Sequence, residues 1–366
     1  MSVGFSAFSV AQKIEETPDS CSFVFNVPSE LESSYTYRPG QYLTIKLTIN
    51  GEEVRRAYSI FTPANHQRIG FTVKRVQGGK VSNYLIDKVH KGDSLEIMVP
   101  DGKFIVKTDR QANRDHYFFA GGSGITPIMS MISTLLEEEP LSTCYLLYAN
   151  RNEDGIIFDN QLKSLAEQHQ DQLVLTNILS QPKQEKASGL KGLFGKKAKP
   201  MWKGLRGRVN GKVVAEFLSA NPSKTNKNTY YICGPTGLIT SVETALLGRD
   251  IAAEDIKKEY FTAASDTAAT AEGSGVGCVA EVSLNGETFT VNLASDKTIL
   301  DALIDLGKDP PYSCTSGACS TCVAKVISGK VEMEACFALD DEEIEDGYVL
   351  TCQSHAKTAE LKLDFE

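Results

Sequence analysis

Cys314, Cys319, Cys322 and Cys352 are the residues of this chain best equipped to do chemistry. The first three lie in the run Pro-Tyr-Ser-Cys-Thr-Ser-Gly-Ala-Cys-Ser-Thr-Cys, a C-x4-C-x2-C pattern, and Cys352 follows with twenty-nine residues between it and Cys322. Three thiolates from one tight loop and a fourth from a distant strand can enclose a two-iron rhomb, so the spacing points to a [2Fe–2S] centre of the plant type. A small residue between ligands, Gly317 or Ala318, lets backbone N–H groups approach the sulfides. A zinc site would more often show paired C-x2-C knuckles. Cys336 is the one rival ligand, but its fourteen-residue offset from Cys322 fits poorly. Cys21, Cys144 and Cys278 have no ligand spacing and read as packing residues. Nine cysteines, odd in number and unevenly spaced, argue against a disulfide framework and for a reducing, cytoplasmic setting.

Two further motifs suit a flavin. Arg56-Ala57-Tyr58-Ser59 ends a β-run, and Gly78-Gly79-Lys80-Val81-Ser82-Asn83-Tyr84-Leu85 is a glycine-bearing turn entering a helix. Backbone N–H groups at Gly79, Lys80, Val81 and Ser82 would point outward to receive a phosphate. Arg56 would pair with the pyrophosphate, Tyr58 would lie against the isoalloxazine ring, and Ser59 would hydrogen-bond near N5.

Ala120-Gly121-Gly122-Ser123-Gly124-Ile125-Thr126-Pro127 follows a buried strand and opens a helix. Gly122 and Gly124 permit close approach of a pyrophosphate, and the helix N-terminus favours its charge. Pro127 stands where the full G-x-G-x-x-G fingerprint has its last glycine; proline suits a first helical turn, where its missing N–H has no partner to lose. Arg151, after the next strand, tilts the choice of nucleotide toward NADPH, although a plain surface arginine would look the same. Cys233-Gly234-Pro235 ends a strand at a sheet's carboxyl edge, where Cys233 could approach a nicotinamide or simply pack. Phe261, in Glu259-Tyr260-Phe261, could cover the flavin's open face or pack.

These groups need three kinds of scaffold. Residues 1–108 read as short strands punctuated by Gly, Pro and Asn, with runs at Ser22–Val27, Tyr42–Ile49 and Gly70–Val76, an Asn50-Gly51 hairpin and a helix near Ser82–Lys88: an antiparallel β-barrel. Residues 109–262 alternate strand and helix, which implies an α/β domain with a parallel sheet covered on both faces. Residues 278–366 open with the strands Cys278–Leu284 and Glu287–Leu293 and the helix Thr298–Leu306, and two or three short strands should complete a small α+β, β-grasp-like fold. The stretch 181–204 is rich in Lys and Gly and reads as a surface insertion; 263–277 has the composition of a flexible linker.

Charge is uneven. From Cys278 onward there are 17 acidic and 6 basic residues, a net of −11 within a chain total of −9. Such an acidic domain excludes nucleic acid and is compatible with a basic protein partner or with solubility alone. No apolar run reaches the ~18 residues of a membrane span, and the first residues lack a basic-then-apolar leader.

Nicotinamides release two electrons as hydride, whereas an iron–sulfur cluster takes one at a time; a flavin holds zero, one or two and can join them. Together the motifs resemble the ferredoxin–NADP reductase superfamily with a plant-type ferredoxin fused at the C-terminus: R-x-Y-S at 56–59, G-G-x-G-I-T-P at 121–127, Cys233-Gly234, and Pro39-Gly40-Gln41-Tyr42. The resemblance implies FAD in the barrel and NAD(P)H in the second domain. It also implies that Ser59, Cys233 and Glu259 surround hydride transfer, that Gly234 belongs to the nicotinamide site and that Thr126 touches the nicotinamide. Domain order is similar to that of reductase components serving phenylacetyl-CoA epoxidase-type di-iron oxygenases, an assignment that would link the chain to phenylacetate catabolism. It also resembles reductases of ring-hydroxylating dioxygenases and of hybrid-cluster protein. The expected function is electron transfer from NADPH through FAD and [2Fe–2S] to an oxygenase or another one-electron acceptor protein. The alternatives are a redox-sensing module and a flavin oxidase or ferric reductase with a vestigial cluster.

Overall fold

The computed structural model describes residues 4–64, 66–184, 201–261 and 275–365. Most of the expected insertion and linker therefore lies outside the described residues.

The first domain is built from β1 (Phe5–Thr17), β2 (Ser20–Asn26), β3 (Tyr42–Ile49), β4 (Glu52–Ser59), β5 (Arg68–Lys74) and β6 (Ser94–Met98), with α1 (Lys80–Lys88) after β5. Strand order is β4-β3-β6-β1-β2-β5. A bridge between Ile60 and Phe71 brings the end of β4 to β5 and closes the barrel. Alternate residues fill its interior, among them Phe23, Phe25, Leu43, Ile45 and Phe71. Asn50 and Gly51 both take positive φ, 55° and 82°, as a two-residue hairpin turn demands. Strands β1 and β6 are elements the sequence pattern hid, and for β1 the reason is visible. Its pairing with β2 shifts register between Val10 and Gln12 and again between Glu15 and Thr17, so no simple period-two alternation survives.

The second domain contains β7 (Asp115–Gly121), α2 (Ile125–Glu138), β8 (Thr143–Asn150), α3 (Asp159–Gln168), β9 (Leu173–Leu179), β10 (Leu205–Arg206), α4 (Gly211–Ala220), β11 (Asn228–Cys233), α5 (Thr236–Leu247) and β12 (Ile256–Glu259). The strands form one parallel sheet, ordered β10-β9-β8-β7-β11-β12. On β7, Phe118 and Ala120 face α2 and α3, while Tyr117 and Phe119 face α4 and α5. Both faces are thus buried, as parallel sheets require.

The third domain holds β13 (Cys278–Leu284), β14 (Glu287–Leu293), α6 (Ile299–Asp305), β15 (Val323–Ser328), β16 (Val331–Met333), α7 (Asp341–Glu345), β17 (Tyr348–Leu350), β18 (Ser354–Ala356) and β19 (Glu360–Asp364). The main sheet runs β14-β13-β19-β15-β17, with β16 and β18 paired separately. Five strands follow the cysteine loop rather than two or three. Three of them, β16, β17 and β18, are only three residues long, too short for a visible alternation. Ile299, Ala302 and Leu303 of α6 pack on Ala280, Val282 and Leu363.

The third domain sits on the first through a compact set of contacts. Buried Arg55 of β4 pairs with Asp309 at 2.7 Å and lies 4.3 Å from the centre of the Tyr312 ring. Tyr42 hydrogen-bonds Thr321 at 2.7 Å, and Lys103 pairs with Glu343. From the second domain, Tyr260 packs on Phe337 with ring centres 5.1 Å apart.

Candidate active site

Pairing register builds the centre of the site. In the parallel sheet Cys233 of β11 lies beside Glu259 of β12 and Ala120 of β7, all at the carboxyl edge. Cys233 is fully buried and its thiol donates to Glu259 Oε2 at 3.9 Å. Burial pushes the Glu259 carboxyl up to about 8, a rise that the Cys233 and Ser59 hydrogen bonds offset only in part. Glu259 keeps some open surface, on the wall of a cavity. At neutral pH it therefore carries a proton within reach of a barrel serine and a sheet cysteine.

That cavity, of about 450 Å³, joins all three domains. Arg56, Tyr58 and Ser59 line it from β4, Gly79 to Ser82 from the start of α1, and Thr126 from α2. Glu259 and Phe261 border it from the second domain, and Cys314 from the cysteine loop. The Arg56 side chain is exposed, with Nη1 donating to the Arg55 carbonyl at 2.6 Å. Tyr58 stacks on Phe71, ring centres 5.2 Å apart. Lys80 is held by Glu52 at 2.5 Å. An aromatic wall, a cation and a helix N-terminus around one cleft suit a flavin with its pyrophosphate.

The glycine turn has a second use. A Cβ on Gly124 would lie 2.2 Å from the Cys233 carbonyl oxygen, and one on Gly121 would lie 2.7 Å from Pro235 Cδ. A Cβ on Gly234 would meet Gly121 Cα at 3.0 Å. These glycines let the β7–α2 and β11–α5 turns pack directly together. Gly122, with φ of 54°, is the open one; its nearest neighbour would be Lys74 Nζ at 3.9 Å. Lys74 lines the same cavity and has only a loose pair with Asp19, at 3.7 Å, so it could also meet a phosphate. Sequence reasoning missed it, because a lysine ending a strand carries no distinguishing signal. Pro127 is buried within the first turn of α2, where Thr126 Oγ1 donates to the Ser123 carbonyl at 3.0 Å.

Arg151 lies apart from the cavity, exposed just beyond β8, where its carbonyl accepts the Gln181 N–H at 2.6 Å. Beside it Asn150 Nδ2 is buried without a hydrogen-bond partner.

Cys314 lies within hydrogen-bond reach of Cys319 and Cys352, and Cys322 within reach of Cys352. Hydrogen bonds from Cys319 to Cys314 and from Cys352 to Cys322 hold the acceptor thiols below their ordinary range. Among the described residues no three His, Cys, Asp or Glu side chains are arranged around a single metal ion. Pairs of thiols suit a two-iron group instead. Ser316 N–H points at Cys314 Sγ, 3.4 Å away, and the buried Ser313 hydroxyl lacks a partner. Gly317 has φ of 71°, and a Cβ there would lie 2.7 Å from the Ala335 carbonyl oxygen. Cys336 is half-buried and its thiol is pushed up, mainly by burial.

Three family signatures match: an oxidoreductase FAD-binding domain at residues 7–105, an oxidoreductase NAD-binding domain at 118–244, and a 2Fe-2S iron-sulfur cluster binding domain at 282–357. One component of the 1,2-phenylacetyl-CoA epoxidase of Escherichia coli (strain K12) is 34% identical, over 99% of this chain and 98% of that protein. This chain belongs to the ferredoxin reductase-type family of iron–sulfur flavoproteins. The reductase is also 32% identical to the ferredoxin reductase component of 3-ketosteroid-9-alpha-monooxygenase from Rhodococcus rhodochrous, over 97% of this chain and 95% of that one. Phthalate dioxygenase reductase superposes with a TM-score of 0.59 at 25% identity, covering 99% and 98% of the two chains. An intact type IV self-sufficient cytochrome P450 monooxygenase shares the fold at a TM-score of 0.67 and 20% identity; 98% of the reductase spans 41% of that longer chain. The reductase is thus an oxidoreductase with FAD, NAD and [2Fe–2S] domains. Among the described residues no helix is long and apolar enough to cross a membrane.

Proposed function

We propose that this reductase takes hydride from NADPH in preference to NADH and delivers single electrons through Cys314, Cys319, Cys322 and Cys352 to an oxygenase component of the phenylacetyl-CoA epoxidase type. The observation that carries this reading is the shared cavity, where Tyr58, Ser59, Glu259 and Cys314 all open onto one space. A bound flavin supplies the conversion between a two-electron donor and a one-electron acceptor. Arg56, Lys80 and the N-terminal amides of α1 would hold its pyrophosphate, Tyr58 would support the ring, and Phe261 would cover the cleft. Ser59 and protonated Glu259 would hold the nicotinamide end of the cavity, with Cys233 acting through its hydrogen bond to Glu259. Thr126 and the Gly122–Gly124 turn receive the nucleotide, with Gly234 leaving room at the nicotinamide and Pro127 stiffening the turn. The exposed Arg151 favours a 2′-phosphate.

An oxygenase partner is supported by the relatives, two of which are named as parts of an epoxidase and a monooxygenase. The −11 charge of the third domain adds attraction for a basic docking face. Anaerobic NADPH titration of the holoprotein should bleach the flavin and then raise the reduced-cluster EPR signal; bleaching with no cluster signal would refute the electron path. Cys319→Ser should abolish delivery to the oxygenase while sparing NADPH oxidation by ferricyanide. Turnover with epoxidase components and not with a ring-hydroxylating terminal oxygenase would establish the partner class; the reverse would overturn it.

A further inference from the structure

Arg55 and Arg56 are neighbours on β4, so their side chains leave opposite faces of the strand. Arg56 lines the cavity, whereas Arg55 is 5% exposed and turns to the third domain. Its guanidinium donates to Asp309 Oδ1 at 2.7 Å and to Glu53 Oε1 of its own strand at 2.9 Å. The guanidinium carbon lies 4.3 Å from the centre of the Tyr312 ring and 5.1 Å from that of Phe5. One buried cation therefore holds two residues of the third domain against two of the barrel.

The segment that Arg55 grips leads directly into the cysteine loop. Between Asp309 and Tyr312 stand Pro310, which is buried, and Pro311. Proline fixes its own φ and restricts the residue before it, so the two ends of this short stretch move together. Two residues after Tyr312 comes Cys314, which opens onto the cavity shared with Tyr58 and Ser59. Fixing Asp309 and Tyr312 thus fixes how the first cysteine of the loop meets the flavin site. A planar guanidinium can bridge two carboxylates and stack on a ring at the same time; an ammonium is a point charge and cannot. A second ion pair between these domains, Lys103 with Glu343, has an exposed lysine, and ion pairs at a surface contribute little.

We propose that Arg55 is a positioning residue for the electron step between flavin and cluster: it latches the stretch from Asp309 to Tyr312 to the barrel, so that Cys314 is held at the cavity. In that step one electron leaves the NADPH-reduced flavin and enters the oxidised cluster, and no bond between the domains forms or breaks. Electron transfer weakens steeply with separation, so a loosened segment slows this step and not the hydride step before it. The inference rests on the electron path proposed above and adds the residue that keeps its two ends together.

The test pairs hydrogen exchange with stopped-flow reduction by NADPH, both on full-length holoprotein. Arg55→Met should lower the exchange protection of amides in 306–316 by about tenfold or more, the weight of a hydrogen bond between charged groups in an opening equilibrium. The flavin should bleach at the native rate, and the cluster should then be reduced about tenfold more slowly, on the same weight. Asp309→Ala, at an exposed side chain, should give the same pattern, and the double variant should be no worse than Arg55→Met alone. Arg55→Lys should restore neither readout, and Lys103→Gln should leave both native. Iron content and cluster potential should stay native throughout. Native exchange or a native cluster phase in Arg55→Met, equal slowing of flavin and cluster, a shifted cluster potential, or full rescue by Arg55→Lys would each overturn the latch. If the native protein bleached its flavin without reducing its cluster, the electron path itself would fall, while hydrogen exchange would still decide whether Arg55 holds the segment.

Discussion

The two edges of the parallel sheet treat a buried carboxyl in opposite ways. At the amino edge Glu139 is fully buried, and burial alone would raise its pKa. Hydrogen bonds from His116, Arg114, Ser142 and the Asp109 N–H overcome that and hold it at about 2. Its oxygens receive Ser142 Oγ at 2.7 Å and Asp109 N–H at 2.9 Å, and Arg114 pairs with it. At the carboxyl edge Glu259 meets a serine hydroxyl and a distant thiol, and it sits at about 8. The first edge has donors for its charge; the second lacks them. A carboxyl left short of donors on a cavity wall marks the second edge, and not the first, as the candidate site.

That contrast can be broken most severely at Glu139. Glu139→Leu strands the Arg114 and His116 donors, and removal of one member of a buried charged network costs about 3–5 kcal/mol. Thermal unfolding should show the loss as a lower Tm. Flavin reduction per folded molecule should be unchanged, because Glu139 lies at the edge away from the cavity. Next in size is Glu259→Gln, which keeps the shape and removes the titrating proton. Stopped-flow reduction of the flavin by NADPH should slow by about tenfold or more, within the range of a lost proton-holding group, with little change in Tm.

The pH dependence should separate the edges again. Glu139, whose folded pKa lies below its ordinary 4.5, adds stability that is lost as pH falls from about 4.5 to about 2. Glu259 has a raised folded pKa, so the folded state holds a proton that the unfolded chain releases. Its contribution is full below about pH 4.5 and fades as pH rises to about 8. Denaturant titrations of the flavin-free protein should show both limbs, and Glu259→Gln should flatten only the alkaline one. The smallest effect belongs to Cys233→Ser. A hydroxyl bonds Glu259 better than a thiol does, so the alkaline limb should move to lower pH, by less than about one unit for a single neutral hydrogen bond.

Much of this could be read from the sequence because the signals were local. The strands 42–49, 278–284 and 287–293 lie where periodicity and turn residues put them. The hairpin at Asn50-Gly51 was equally legible. What stayed hidden depends on distant partners. Strand β1 lost its alternation to two register shifts set by β2. Lys74 and Tyr42 have no motif that sets them apart; each matters because another domain lies against it. The Cys233–Glu259 pairing comes from strand register, which one sequence does not reveal.

The seam where Gly121, Gly124 and Gly234 meet is closed by backbone and by the side chains of Pro235 and Leu238. It therefore has no slack: a single added methyl would wedge apart two strand ends at once. The loop that receives the nucleotide and the strand end that carries Cys233 consequently behave as one rigid jaw. Anyone wishing to enlarge a side chain at this end of the reductase would have to move whole strands, since none of the three glycines can be traded for a larger residue.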